Sequence, residues 1–196
     1  SNAGFDVKVL SLGSQKEMSE DCKINYSILK NLSDQRKNLN IKPYNSIKEI
    51  NWFKDCDVVL DAILGSGFAG ELKEPYVLIV KLLNKLTAFK CAVDVPTGLN
   101  ADTGYGDTVF NSDLTVTLGE FKKGLFVTNG YEYCGEVVLK EIGIGTDYFD
   151  SIDTDTYLIE PEDVHSNLPK RGKSVHKYSA GKVLTIAGSY KYPGAA

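Results

Sequence analysis

Apolar and polar residues alternate along residues 4–12, with Phe5, Val7 and Val9 set against Asp6 and Lys8, which predicts a half-buried strand. Ser19, Glu20 and Asp21 then supply a capping hydroxyl and two acids for the first turn of a helix, and Cys22, Tyr26, Leu29 and Leu32 share one face of it. A short helix is expected at Ile47–Phe53. The run Asp57-Val-Val-Leu60 is apolar enough to predict a strand buried on both faces. Pro75 suits a helix N-terminus, and residues 76–86 behind it are apolar almost all round, which predicts a largely buried helix.

Phe89–Val93, Leu114–Leu118 and residues 137–142 read as further strands, and residues 100–107 carry turn chemistry in Asn100, Asp102, Gly104 and Gly106. Strands and helices alternating at this spacing imply βαβ units, hence a Rossmann-like, mostly parallel α/β sheet with helices on both faces in three layers. Residues 145–155 turn polar and acidic, as in a linker. Beyond them Pro161 starts a helix, and residues 181–189 read as a buried strand feeding a Gly-containing loop. One strand cannot bury itself, so residues 156–196 are expected to open a second α/β domain behind a first one at residues 4–155. Ser1, Asn2 and Ala3 read as a tag-cleavage scar.

Composition narrows the partners. The 196 residues are 42% hydrophobic and 24% charged, with a formal net charge of -4 and no long Lys/Arg run. That leaves no electrostatic footprint for a nucleic-acid backbone or an anionic membrane, and no apolar run approaches the ~18 to 20 residues that span a bilayer. Small molecules are the expected partners, in a soluble, cytoplasmic protein with room for a homo-oligomer. Cys22, Cys56, Cys91 and Cys134 are far apart and lack histidine partners, so they are expected to be reduced and structural. His165 and His176 both lie near the end, which argues against a histidine-based triad in the main body.

One motif demands a test. Gly65-Ser66-Gly67-Phe68-Ala69-Gly70 fits the G-x-G-x-x-G pattern of dinucleotide-binding folds, with Asp94 roughly where a ribose-binding acid belongs. In that fingerprint the first glycine closely follows the strand and the third lies in the first helical turn. Here four residues separate Leu60 from Gly65, and Pro75 lies five residues beyond Gly70. Asp61 at the strand tip would also repel a phosphate unless a cation intervened. A hydride-transfer cofactor site is therefore not expected. Position still favours a ligand site, because Asp61 and Asp94 both fall at carboxyl ends of neighbouring predicted strands, where open α/β sheets bind ligands.

Taken together, the runs Val58-Val-Leu-Asp-Ala-Ile-Leu-Gly-Ser-Gly67, Ala92-Val-Asp-Val-Pro-Thr-Gly-Leu-Asn-Ala-Asp-Thr-Gly104, Asp113-Leu-Thr-Val-Thr-Leu-Gly119, Lys122-Lys-Gly-Leu125 and Tyr133-Cys-Gly-Glu-Val-Val138 resemble the NAD(P)H-hydrate epimerase family of the YjeF N-terminal type. Residues 176–196 resemble the opening of the ribokinase-like NAD(P)H-hydrate dehydratase domain that bacteria often fuse behind it. The resemblance implies repair of damaged nicotinamide nucleotides. One half would interconvert the R and S forms of hydrated NADH or NADPH, and the other would use ADP or ATP to dehydrate the S form.

Carried over residue by residue, the resemblance implies that Asp61 and the Thr97 hydroxyl ligate a potassium ion, with Thr97 standing where Ser is commoner. It implies that Gly65, Ser66, Gly67, Phe68, Ala69, Gly70 and Glu71 form the substrate-binding loop, and that Asp94 is the substrate-contacting catalytic acid. The family's Asn-Asn-Gly-Gly-Asp-Gly loop and first βα unit would precede Gly4, so the chain is expected to be a fragment, inactive alone in both reactions. The expected chemistry is proton exchange between Asp94 and the hydrate's hydroxyl as it departs, helped by the adjacent ring nitrogen, with Phe68 walling a pocket that raises the acid's pKa. Lys122 is expected to approach the substrate's phosphates. A non-catalytic nucleotide-binding module, acting as scaffold or sensor, is the alternative from another class, and a sugar-kinase-like phosphotransferase is a third reading resting on the tail.

Overall fold

The computed structural model describes residues 3–14, 16, 18–145, 148, 149, 151–154, 156–168, 182, 184, 186–191 and 194. The chain divides into two units, Ser1–Asp153 and Thr154–Ala196. In the first, β1 (Val7–Ser11) is joined by α1 (Glu20–Gln35) to β2 (Leu39–Pro43), and the two strands pair in parallel with Val7 opposite Leu39 and Ser11 opposite Pro43. The Ser19 hydroxyl accepts from the Cys22 N–H at 3.2 Å, so the expected cap forms. Tyr26, Leu29 and Leu32 are half-buried as their shared face requires, whereas Cys22 is exposed.

β2 has no counterpart in the expected elements. Its sequence, Leu-Asn-Ile-Lys-Pro, offers only two apolar side chains and ends in a residue without an N–H. Pairing on one side only suits such a strand, since an edge tolerates Pro and polar residues.

The second sheet orders β3 (Val58–Asp61), β4 (Phe89–Val93), β5 (Leu114–Leu118) and β6 (Glu136–Lys140) as neighbours, every pair parallel. The fold is therefore α/β with parallel sheets. α2 (Tyr76–Leu83) links β3 to β4, and its turns give out three residues before the expected end, where Leu86 N–H bonds back to Leu83 C=O. No helix joins β4 to β5. A 3₁₀ turn (Lys123–Leu125) and the single-turn α3 (Gly130–Tyr133) lie between β5 and β6.

Contrary to expectation, β3 is buried on one face only. Val59 and Asp61 point inward, while Val58 and Leu60 are 52% and 67% exposed. β3 is the edge of its sheet, so an apolar run that suits a central strand leaves alternate side chains uncovered here.

The core gathers Ile50, Val59, Ile79, Val80, Leu83, Ala88, Ala92 and Phe110, with Leu10 and Leu12 packed against it from the β1 side. Phe110 belongs to the long β4–β5 connection and anchors that irregular segment to the sheet. The same segment folds tightly on itself at Gly98, where φ is +93° and a Cβ would lie 2.0 Å from the Thr108 carbonyl oxygen. Only glycine fits there. Asn100 Oδ1 accepts from the N–H groups of Asp102 and Thr103, the turn chemistry expected of this stretch.

In the second unit α4 (Pro161–Asn167) starts at the expected Pro161, behind a capping box between Glu160 and Asp163. His165 lies on α4, and His176 falls outside the described residues. Of the strand expected at 181–189, residues 181, 183 and 185 also lie outside them. Its described residues Leu184 and Ile186 are 84% and 91% exposed rather than buried, because none of the described residues of this unit covers them. All four cysteines are free, with Cys91 and Cys134 buried. No helix among the described residues is long and apolar enough to cross a membrane.

Phe110→Ala is expected to lower unfolding stability by ~3–5 kcal/mol, as for other fully buried aromatic truncations. Urea denaturation of the purified chain measures it, and a loss under 1 kcal/mol would mean that the β4–β5 connection is not anchored through this ring.

Candidate functional site

β3 and β4 end side by side, with Asp61 opposite Ala92 and Asp94 just past the tip of β4. Asp61 is 1% exposed. Its Oδ2 accepts from the Thr97 N–H at 2.7 Å, and its Oδ1 accepts from the Thr97 hydroxyl at 2.7 Å and the Ile63 N–H at 3.2 Å. The Thr97 hydroxyl oxygen in turn accepts from the Leu64 N–H at 3.1 Å and lies 3.4 Å from the Leu64 carbonyl. No ion pair to Asp61 forms among the described residues. Burial therefore pushes this carboxyl above the ordinary aspartate range, against the opposing pull of the Thr97 backbone and hydroxyl and of the Ile63 N–H.

Asp94 has the opposite surroundings. Its φ is +70°, a left-handed conformation that Asp tolerates better than most residues and that clusters at functional turns. The Lys122 ammonium lies 2.6 Å from Oδ1, and the Leu118 N–H reaches the same oxygen at 3.4 Å. Oδ2 accepts from the Ser66 N–H at 3.1 Å. Burial alone would raise this carboxyl, but the hydrogen bonds from Lys122 and Ser66 and the charge of Lys122 together outweigh it and hold the group below the ordinary range. The expected raised pKa is thus reversed, because the expectation counted apolar walls and not the lysine.

The glycine loop at 65–71 meets Asp94 directly. A Cβ at Gly65 would stand 3.1 Å from Asp94 Oδ2, so glycine lets this backbone approach the carboxylate. The Phe68 N–H closes a turn on the Gly65 carbonyl at 3.0 Å, and Gly70 has φ +92°. Phe68 is half-buried, while Ser66, Gly67, Ala69, Gly70 and Glu71 are exposed. No helix begins at the loop, since α2 starts only at Tyr76. Its N–H groups are therefore not arrayed at a helix end as a hydride-transfer cofactor site requires.

The expected residues accordingly fall into two contacting groups, Asp61 with Thr97 and Asp94 with Gly65, Ser66 and Lys122, which meet along the chain where Leu64, bonded to Thr97, precedes Gly65. Thr117 and Leu118 join them through Lys122, whose Nζ donates to Thr117 Oγ1 at 3.2 Å and to the Leu118 carbonyl at 2.5 Å. Sequence reasoning missed these two, although they end β5, the strand next to β4, and share the carboxyl edge that singled out the acids. Among the described residues no group of three or more His, Cys, Asp or Glu side chains could hold a metal ion. Two cavities of about 550 and 490 Å³ lie elsewhere, beside Tyr26, Tyr44 and Tyr76, and neither is lined by Asp61 or Asp94.

Comparison with known proteins identifies the family. Residues 1–124 match the family described as YjeF-related protein N-terminus. The chain is 40% identical over 140 residues to a Coxiella burnetii protein named bifunctional NAD(P)H-hydrate repair enzyme Nnr, covering 71% of this chain and 29% of that protein. Proteins of the same name from Archaeoglobus fulgidus and Pyrobaculum aerophilum are 44% identical over 141 residues and 35% identical over 195, covering 72% and 98% of this chain. The chain spans 28% and 37% of those two proteins, so about a third of their length. A crystal structure of yeast ynu0 superposes with a TM-score of 0.57 at 18% identity, covering 82% of this chain and 76% of that one, and shares the fold. On the match over residues 1–124 and these identities, the chain belongs to the family of YjeF-related protein N-terminal domains.

Proposed function

We propose that this chain carries the epimerase site for hydrated NADH or NADPH within a longer repair enzyme, and that residues from 154 onward open the domain that dehydrates the S form with ADP or ATP. The observation that carries the reading is the pair of carboxylates at adjacent strand tips, one buried without an ionic partner and one held charged beneath an exposed glycine loop. The names of the relatives supply the substrate class.

In the hydrate a hydroxyl stands on the carbon beside the ring nitrogen. Asp94 is a carboxylate at neutral pH and has no proton to give a departing hydroxyl, so it acts first as a base. It takes the hydroxyl proton, the C–O bond becomes a carbonyl, and the ring C–N bond opens with its electron pair moving onto the nitrogen, where conjugation with the carboxamide spreads the charge. Rotation then presents either face of the carbonyl to the nitrogen. Ring closure reforms the C–N bond, the oxygen recovers the proton from Asp94, and either epimer results. The loop at 65–71 wraps the substrate through backbone groups, which its glycines leave accessible.

Asp61, the Thr97 hydroxyl and the Leu64 carbonyl fit a potassium ion. One buried carboxylate with neutral hard oxygens suits a monovalent cation, and this carboxylate has no other ionic partner among the described residues. The cation would neutralise Asp61 beside a loop that receives an anionic dinucleotide.

Full-length protein carrying Asp94→Asn is expected to lose ~10²- to 10⁴-fold in epimerisation rate above the spontaneous background. In the wild type the rate should stay level through neutral pH and fall on acidification through the depressed pKa of Asp94, because protonation removes the base. A rate that climbs as pH falls, after subtraction of the uncatalysed reaction, would assign Asp94 the acid's role instead. Unaltered activity in Asp94→Asn would remove it from the reaction.

Potassium is expected to raise the melting temperature of the wild type and of Thr97→Ser in a concentration-dependent way, with little effect on Thr97→Val. Lithium serves as the ionic-strength control. Equal responses to both ions would refute the cation site. In either salt Thr97→Val should also lose ~1–3 kcal/mol, because the Leu64 N–H loses its acceptor and Asp61 a donor.

A further inference from the structure

We infer that Lys122 is a positioning residue that fixes Asp94 as an oriented carboxylate, and that it does not serve as a ligand for the substrate's phosphates. The inference rests on the role proposed for Asp94 and concerns how that residue is held.

An ammonium has three N–H donors. Lys122 directs them to three acceptors from two elements: Asp94 Oδ1 at 2.6 Å, Thr117 Oγ1 at 3.2 Å and the Leu118 carbonyl at 2.5 Å. No donor is left for a phosphate oxygen unless one of these bonds breaks. The pair is also sheltered, with the side chains of Lys122 and Asp94 only 19% and 17% exposed. It is therefore not one of the solvated surface pairs that contribute little.

The geometry divides labour between the two oxygens of Asp94. Oδ1 is occupied by Lys122 and by the Leu118 N–H. Oδ2 accepts from the Ser66 N–H, the Ser66 side chain also bonds the carboxylate, and this oxygen faces Gly65, whose missing side chain leaves room beside it. Oδ2 is thus the oxygen that can take a proton.

The charged surroundings of Asp94 are simple. Among the described residues Lys122 is the only charged group contributing to its shift; Ser66 from the loop and Leu118 from β5 donate as neutral groups. Asp61 on β3 directs its oxygens to Thr97 and Ile63. Removing the lysine takes away its hydrogen bond and its charge, leaves burial opposed by the Ser66 bonds, and so moves the carboxyl upward.

The test is the pH dependence of kcat and KM for epimerisation by the full-length protein carrying Lys122→Met or Lys122→Arg, with circular dichroism and melting temperature confirming the fold. Lys122→Met is expected to lower kcat at least about tenfold, leave KM within about threefold, and move the acidic limb of the profile up by about one pH unit or more. Lys122→Arg keeps the charge and should hold the limb near its wild-type position while restoring part of kcat. A raised KM with kcat and limb unchanged in Lys122→Met would make Lys122 a phosphate ligand and overturn the inference. Should Lys122→Met prove unfolded, the arginine variant decides: an acidic limb displaced as far as one pH unit despite the retained charge would equally overturn it. Should Asp94→Asn retain full activity, the proposed base falls first, a result separable from a fault in the assignment of Lys122.

Discussion

Everything at the site depends on the two bonds by which Thr97 grips Asp61. Backbone N–H and hydroxyl each reach one carboxylate oxygen at 2.7 Å, so the turn after β4 is clamped to the tip of β3. The Thr97 carbonyl meanwhile accepts from the N–H of Phe110, a fully buried core residue. One residue thereby ties the strand tips, the turn and the core. Asp94, three positions earlier, can hold a left-handed conformation costing ~1–3 kcal/mol because the turn is over-determined on its far side. From that conformation its carboxylate faces both the glycine loop and β5.

The clamp also explains why a buried acid is retained there. A neutral side chain of similar shape, such as Asn, cannot accept from both Thr97 groups at once, since its amide would set a donor against a donor. A carboxylate accepts all three bonds, and no buried side-chain polar atom among the described residues lacks a partner. What it keeps is an uncompensated charge in a desolvated place. That imbalance is the physical argument for a cation beside it.

How much of this could be read beforehand varied with the range of the interactions. The start of α2, the cap at Ser19, the helix start at Pro161 and the strand ending at Asp94 follow from local pattern and appear where expected. The glycine loop was also legible, because the distances from Leu60 to Gly65 and from Gly70 to Pro75 are properties of the chain. β2 was not, since two apolar residues in five carry no period, and its strand character comes from pairing with β1. The one-sided burial of β3 could not be seen either, because an edge and a central strand share the same local composition. Lys122 was noticed, but its contact with Asp94 was not foreseen. It lies 28 residues from Asp94, and only the parallel pairing of β4 with β5 brings the two together.

That long-range contact separates two acids that look alike in sequence. Asp61 and Asp94 both follow apolar strands and both lose water on folding, so desolvation acts on each in the same direction. For Asp61 the compensating partners are neutral, and the group is driven toward a proton or a cation. For Asp94 an ammonium at 2.6 Å reverses the balance, and the group stays ionised. Two carboxylates whose surroundings push their pKa values apart take different chemical roles. On the proposed reading, a buried site that draws in a cation and a fixed carboxylate that accepts a proton are what an anionic, hydroxyl-bearing ligand would meet at this edge of the sheet, and exchanging the two roles would require moving Lys122.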